Sequence, residues 1–273
     1  MNNTKFYLSD PWLDPFKSII DSRIKKCIAR ESSLTGGRSL KEFAMGHFYY
    51  GLHRENKGWI FREWAPNAES IFLTGIFSDW KEKPAYRLER INKYGDWEIR
   101  LPEESLRHGD LYKLSLHWKG GRGERIPSYA NRLVQDETTK IFSAQVWCPQ
   151  ETYKWNTGDF KAPETAPLIY EAHIGMGTAG EKIGTYREFA ENVLPMVKKS
   201  GYNTLQLMAI QEHPFYGSFG YHVSSFFAAS SRFGTPEDLK SLIDDAHSMG
   251  IRVIMDLVHS HSVKNINEGL GMF

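Results

Sequence analysis

The fold turns on residues 201–258, GYNTLQLMAIQEHPFYGSFGYHVSSFFAASSRFGTPEDLKSLIDDAHSMGIRVIMDLV. NTLQLMAI (203–210) and IRVIMDLV (251–258) are apolar runs of strand length. Between them Thr235-Pro236-Glu237-Asp238 opens a helix, with proline at its first position and acids near the positive end of the dipole, and Gly250 closes it. A strand–helix–strand order implies a parallel pair joined by a crossover. Upstream, Thr185 with Glu188 caps another helix, which Gly201 ends. Before it, LIYEAHIGM (168–176) is a near-continuous apolar run, expected as a parallel strand buried on both faces. Three parallel strands and two helices do not close a barrel, so the sequence reads as an open α/β layer or, preferably, a truncated one.

Further towards the amino terminus the pattern changes. Residues 156–167, NTGDFKAPETAP, are polar with two prolines and read as a linker. Before them the period is two: Trp97, Ile99 and Leu101 alternate with polar residues, as do Tyr112, Leu114, Leu116 and Trp118. GWIFREW (58–64), ESIFLTG (69–75) and IFSAQVW (141–147) are also strand-like, and together these runs predict a small β-sandwich. Residues 10–30 predict a helix from Asp10 and Pro11 onward, and Ser39 with Glu42 a capping box for a second, short one.

Composition excludes several classes of function. The 273 residues carry 34 Lys and Arg against 33 Asp and Glu, which leaves no electrostatic footprint for nucleic acid. No apolar run is long enough to span a membrane. The amino terminus lacks the layout of a signal peptide, and two distant cysteines, Cys27 and Cys148, form no disulfide framework, so a cytoplasmic location is expected. All eight tryptophans precede residue 156, whereas six of the ten histidines follow it.

Four features carry candidate chemistry. His259-Ser260-His261 follows the third strand; two histidines at i and i+2 share a strand face, which fits a metal site, a sugar-hydroxyl site or a polar strand end. Asp256 has the opposite parity, so joint action with the histidines requires the strand to end or bulge near Val258. The connection 211–235 is far longer than an ordinary loop of this kind and rich in aromatics, which fit either a sugar ring or a satellite hydrophobic cluster. Glu171, Glu212 and Asp256 are the carboxylates near strand ends, and they make no convincing acid and nucleophile pair. In the sandwich, Trp80 ends the turn Gly75-Ile76-Phe77-Ser78-Asp79-Trp80 and is placed to stack on a sugar, whereas Trp64 and Trp97 lie inside strands and are expected in the core.

In combination these motifs resemble a known family. REWAPNAESIFLTGIFSDW (62–80) is similar to the sandwich module that precedes the catalytic barrel of glycogen and starch branching enzymes. YEAHIGM (170–176), the stretch 203–239 and MDLVHSHSVKN (255–265) are similar to the start of that α-amylase-like barrel. The resemblance runs in order from about residue 10 to the end. It implies a helical segment (1–45), a β-sandwich carbohydrate-binding module (46–150), a linker (151–167) and the first three strands of an incomplete (β/α)8 TIM barrel (168–273). It also implies a glycosyltransferase that cuts α-1,4 chains with retention, transfers them to a 6-hydroxyl, and needs no metal or other cofactor. Asp256 and His261 match the family's first barrel motif, in which the histidine binds the sugar at the cleavage subsite, and Tyr221 matches the tyrosine stacked on that sugar. The family's nucleophile, acid/base glutamate and second aspartate come from later strands, so a chain of this extent is expected to be inactive alone and poorly soluble. Two other readings remain: a non-catalytic glucan-binding protein, and a metal-dependent hydrolase using His259 and His261. The expected partner is an α-glucan.

Overall fold

Pro15 sets where the first α-helix begins. Pro11–Phe16 form a 3-10 helix, with the Asp10 carboxylate accepting the Trp12 N–H at 3.0 Å, and α1 runs from Lys17 to Thr35. A proline lacks the N–H that an α-helical interior needs, so the helix expected from residue 10 takes α geometry only beyond it. Gly36, at φ +62°, ends α1. Ser39 and Glu42 form the expected capping box on α2 (Leu40–Phe43), and α3 (Gly46–Tyr49) is one turn of helix where the strand pattern was expected to begin. The structure, a computed structural model, describes residues 10–264; residues 1–9 of the expected helical segment and 265–273 of the expected barrel segment lie outside them. The stretch up to Tyr49 is one compact unit, with Trp12, Phe16, Ile19 and Ile28 exposed.

Tyr50 opens a second unit, which begins with two antiparallel sheets. The strands are β1 (Gly51–Glu55), β2 (Gly58–Trp64), β3 (Ala68–Gly75), β4 (Glu89–Arg90), β5 (Asp96–Leu101), β6 (Leu111–Trp118), β7 (Gly121–Arg125), β8 (Leu133–Gln135) and β9 (Phe142–Gln145). One sheet has the order β1-β2-β5-β4; the other has β3-β6-β9-β8, with β7 paired to β6. Alternate residues face inward, so Phe61, Ile71, Leu73, Leu114, Leu133 and Phe142 are sealed in one core. Parity separates two tryptophans expected to be alike. Trp97 pairs with Glu63 on the inner face and is buried, its indole N–H donated to the Ala65 carbonyl at 3.0 Å. Trp64 pairs with Asp96 on the outer face and is 51% exposed, which corrects its expected place in the core.

The α/β layer follows: β10 (Ile169–Ala172), α4 (Tyr186–Asn192), α5 (Leu194–Lys199), β11 (Thr204–Leu207), β12 (Gln211–Glu212), β13 (Ser225–Ala229), α6 (Pro236–Ser248) and β14 (Arg252–Met255). The sheet is parallel with the order β10-β11-β14. Capping boxes at Thr185–Glu188 and Thr235–Asp238 start α4 and α6 where the sequence places helix starts. The single helix expected before Gly201 is two, α4 and α5, broken just before Pro195, whose missing N–H interrupts the ladder. The central strand is buried through Leu205 and Leu207, but β10 is not the doubly buried strand expected. It lies at an edge, with Tyr170 and Ala172 packed on the helical side and Ile169 44% exposed. Residues 174–176 leave the strand as a 3-10 turn.

Two sets of contacts tie this layer together and to the sandwich. The long connection contains the antiparallel pair β12–β13; its Ala228 enters the sandwich core, and the rings of Phe227 and Tyr129 stack with centroids 4.5 Å apart. The stretch read as a linker is held by Asp244 of α6. That carboxylate accepts hydrogen bonds from the Tyr153 hydroxyl, the Asn156 N–H and side-chain amide, and the Thr157 N–H and hydroxyl. Burial pushes Asp244 up, but these hydrogen bonds outweigh it and hold the carboxyl down at about 2. Among the described residues no helix is long and apolar enough to cross a membrane.

Candidate functional site

The sheet register decides which polar groups meet. Glu171, Gln206 and Ile254 lie side by side across β10, β11 and β14, on the face turned away from the helices. Two residues beyond Ile254, Asp256 returns to that face, just past the last strand residue. Its Oδ1 accepts the Gln206 side-chain amide at 2.8 Å, and its Oδ2 accepts the Tyr221 hydroxyl at 2.9 Å. The Gln206 amide also lies 3.4 Å from Glu171. Burial, followed by the bond to Asp256, pushes the Tyr221 phenol up to about 12, so at neutral pH it stays a donor.

The carboxyl end of β14 resolves the parity conflict. The strand stops at Met255, the Val258 N–H is donated to the Gln211 side chain at 3.3 Å, and Val258 packs with Ala209 and Val223. The two histidines then diverge. His259 lies against Phe226 with ring centroids 6.0 Å apart, and His261 lies edge-on to His222 at 6.1 Å. Tyr221 and Asp256 are thus in direct contact, and His261 meets the residue next to Tyr221. Among the described residues no group of three His, Cys, Asp or Glu side chains comes together to hold a metal ion.

Glu212 has a bracing role. It is fully buried, and its carboxylate accepts the His213 N–H at 3.1 Å, the Ser230 hydroxyl at 3.1 Å and the Ser231 N–H at 2.7 Å, closing the base of the long connection. Burial pushes this carboxyl up and pushes the neighbouring His213 down to about 4. The aromatics of the connection divide: Phe233 is core, whereas Phe215, Phe219 and Phe227 are exposed. Gln206 is the residue that sequence reading missed. Its signal was a polar side chain between two leucines in a strand otherwise apolar.

Trp80 occupies a separate site on the outer face of the sandwich. Asp79 and Trp80 both take left-handed φ values, +56° and +57°, which carry the indole out of the turn after β3. It is 42% exposed, with the Lys113 ammonium 5.9 Å from the ring centroid. Beside it is a cleft of about 410 Å³.

Comparison with known proteins matches each half of this arrangement. Residues 49–131 match the family described as carbohydrate-binding module 48 (isoamylase N-terminal domain), and residues 176–268 match the α-amylase catalytic domain. The 1,4-α-glucan-branching enzyme of Dictyostelium discoideum is 42% identical over 278 residues, covering 98% of this chain and 40% of the relative. That of Aspergillus oryzae is 43% identical over 276 residues, covering 97% and 39%. This chain is a homologue of the 1,4-α-glucan-branching enzymes. It spans about 40% of the length of these relatives. The fold recurs at lower identity. The catalytic module of the glycogen-degrading pneumococcal virulence factor SpuA has a TM-score of 0.62 at 20% identity, covering 80% of this chain and 38% of that one. The group B Streptococcus pullulanase SAP has a TM-score of 0.62 at 21% identity, covering 80% and 34%. A module-48 sandwich followed by part of an α-amylase catalytic domain is therefore the architecture of this branching-enzyme homologue.

Proposed function

We propose that this chain supplies the glucan-binding module and part of the sugar-binding surface of a 1,4-α-glucan branching enzyme. Such an enzyme cleaves α-1,4 chains with retention and transfers them to a 6-hydroxyl during glycogen or starch synthesis. The observation that carries the reading is the match at about 42% identity along nearly the whole chain, sandwich and α/β layer alike. The contact between Tyr221 and Asp256 supports it. A sugar seated there meets an aromatic face and a carboxylate already oriented by Gln206. In this reading Tyr221, Asp256 and His261 bind donor sugar, Trp80 binds glucan on the module, and the reacting carboxylates are not among the residues of this chain. The segments are 1–45, 46–150, 151–167 and 168–273, as the sequence places them. The free cysteines Cys27 and Cys148 are compatible with a cytoplasmic site of action.

Reading the coding DNA beyond the Phe273 codon separates the alternatives. The reading expects an open frame encoding five further βα units with two aspartates and a glutamate at strand ends. A stop codon there overturns it and leaves a non-catalytic glucan-binding protein. The metal-hydrolase alternative requires His259 and His261 to converge, and they face different rings.

A further inference from the structure

The cleft beside Trp80 is built by strand parity. On β6, Leu114 and Leu116 point into the core, so Lys113, Ser115 and His117 point outward. Thr74 pairs with Lys113 from β3, and Glu124 and Arg122 pair with Ser115 and His117 from β7, which makes a continuous polar floor across three strands. Glu82 comes over this floor from the segment after Trp80. Its Oε1 accepts both the Ser115 hydroxyl at 2.7 Å and the His117 Nε2 at 2.8 Å. Its Oε2 accepts no hydrogen bond from a described residue. Burial pushes the Glu82 carboxyl up, but the bonds from Ser115 and His117, together with the charge of Arg122 in the same cleft, outweigh it and hold the carboxyl below its ordinary value. Thr74 lines the same cleft. It is 3% exposed, and its hydroxyl has no hydrogen-bond partner. A buried hydroxyl without a partner is costly unless a ligand or water serves it. The cleft therefore offers a half-exposed aromatic face, a fixed anionic acceptor with open lone pairs and an unserved hydroxyl. That combination suits a neutral sugar ring, which presents C–H bonds to the indole and O–H donors at its edge.

We infer that Glu82 is the hydroxyl-recognising residue of the Trp80 cleft, accepting through Oε2 a hydrogen bond from a ring hydroxyl of an α-glucan stacked on the indole. This rests on the reading of Trp80 as a glucan platform and adds a residue that selects by hydrogen bonding. A hydrogen bond to a charged group that is desolvated on binding accounts for about a tenfold change in affinity. Glu82→Gln is the discriminating variant. Its carbonyl still accepts from Ser115 or His117, so the floor stays braced, but the group facing the cleft becomes an NH2 donor.

Calorimetric titration of the full 273-residue chain with maltoheptaose tests the inference, with near-UV circular dichroism as the folding control. Expected are saturable binding by the unsubstituted chain, a loss of about tenfold in Glu82→Gln with its spectrum unchanged, and at least as large a loss in Trp80→Ala. Glu82→Gln binding as well as the unsubstituted chain, while Trp80→Ala loses affinity, overturns the role of Glu82 and leaves the platform standing. No binding by the unsubstituted chain overturns both. If Glu82→Gln alters the spectrum, Thr74→Val provides the check: it keeps shape and removes the unserved hydroxyl. Weakened binding by that variant supports the cleft as the hydroxyl site, and unchanged binding overturns the inference.

Discussion

The sandwich and the α/β layer bury their apolar residues in opposite ways. In the sandwich each sheet is the other's cover, so inward side chains on both are sealed, and the outer faces carry polar residues with Trp64 and Trp80 exposed among them. In the α/β layer the helices cover one face of β11 and its neighbours, while the other face leaves Ile169 and Ile254 exposed beside Glu171 and Asp256. The lesson concerns what patterning records. Alternation along a strand states its own two faces, so a closed sandwich can be read locally. A continuous apolar run states only that the strand suits burial on both faces, and whether both are covered depends on what packs against it.

Substitutions can break this contrast, and the largest effect belongs to the sealed core. Phe61 is fully buried between the sheets, and Phe61→Ala is expected to cost about 4 kcal/mol, measured by urea unfolding. A shift under a quarter of that would mean the two sheets do not share one core.

The next effect depends on pH. Glu63 lies on the inner face of the sandwich, accepting the Trp64 N–H at 3.0 Å and the Ser128 N–H at 2.9 Å. Burial pushes its carboxyl up to about 7. Between about 4.5 and 7 the folded chain holds a proton that the unfolded chain releases. Stability therefore falls as pH rises through that window and levels off above it, by about 3 kcal/mol in all. Glu63→Gln is expected to flatten that part of the profile, and urea midpoints between pH 5 and 8 would show it. An equally steep fall in the variant would place the titration elsewhere.

Asp244→Ala probes the other half, because one carboxylate gathers the segment 153–157 onto α6. A loss of about 2 kcal/mol is expected, with faster hydrogen exchange confined to that segment. Exchange rates there equal to those of the unsubstituted chain would show that the prolines and the stacking of Phe160 on His247 hold it without Asp244. The smallest effect sharpens the contrast most. Ile254 is 37% exposed on the uncovered face, so Ile254→Ser should change stability by no more than about 0.5 kcal/mol while reducing self-association in sedimentation velocity. A large destabilisation would mean that this face is covered.

Local chemistry made most of the elements legible. The capping boxes at Ser39, Thr185 and Thr235 fall where the sequence places helix starts, because a cap is made by residues three apart. The exposure of β10, the outward turn of Trp64 and the pair β12–β13 were not legible, because each depends on a partner distant in sequence. At the candidate site, Tyr221 and Asp256 were named from their motifs. That they touch, and that Gln206 orients Asp256, needed the register of three strands. Glu82 gave no signal at all, since its role follows from the outward face of β6, thirty-odd residues away.

The central claim, that this homologue of the branching enzymes holds α-glucan through its sandwich module, is tested most directly by electrophoresis of the folded chain in gels with and without glycogen. Retardation by glycogen that is lost in Trp80→Ala is the predicted result. Equal mobility of the unsubstituted chain in both gels would contradict it.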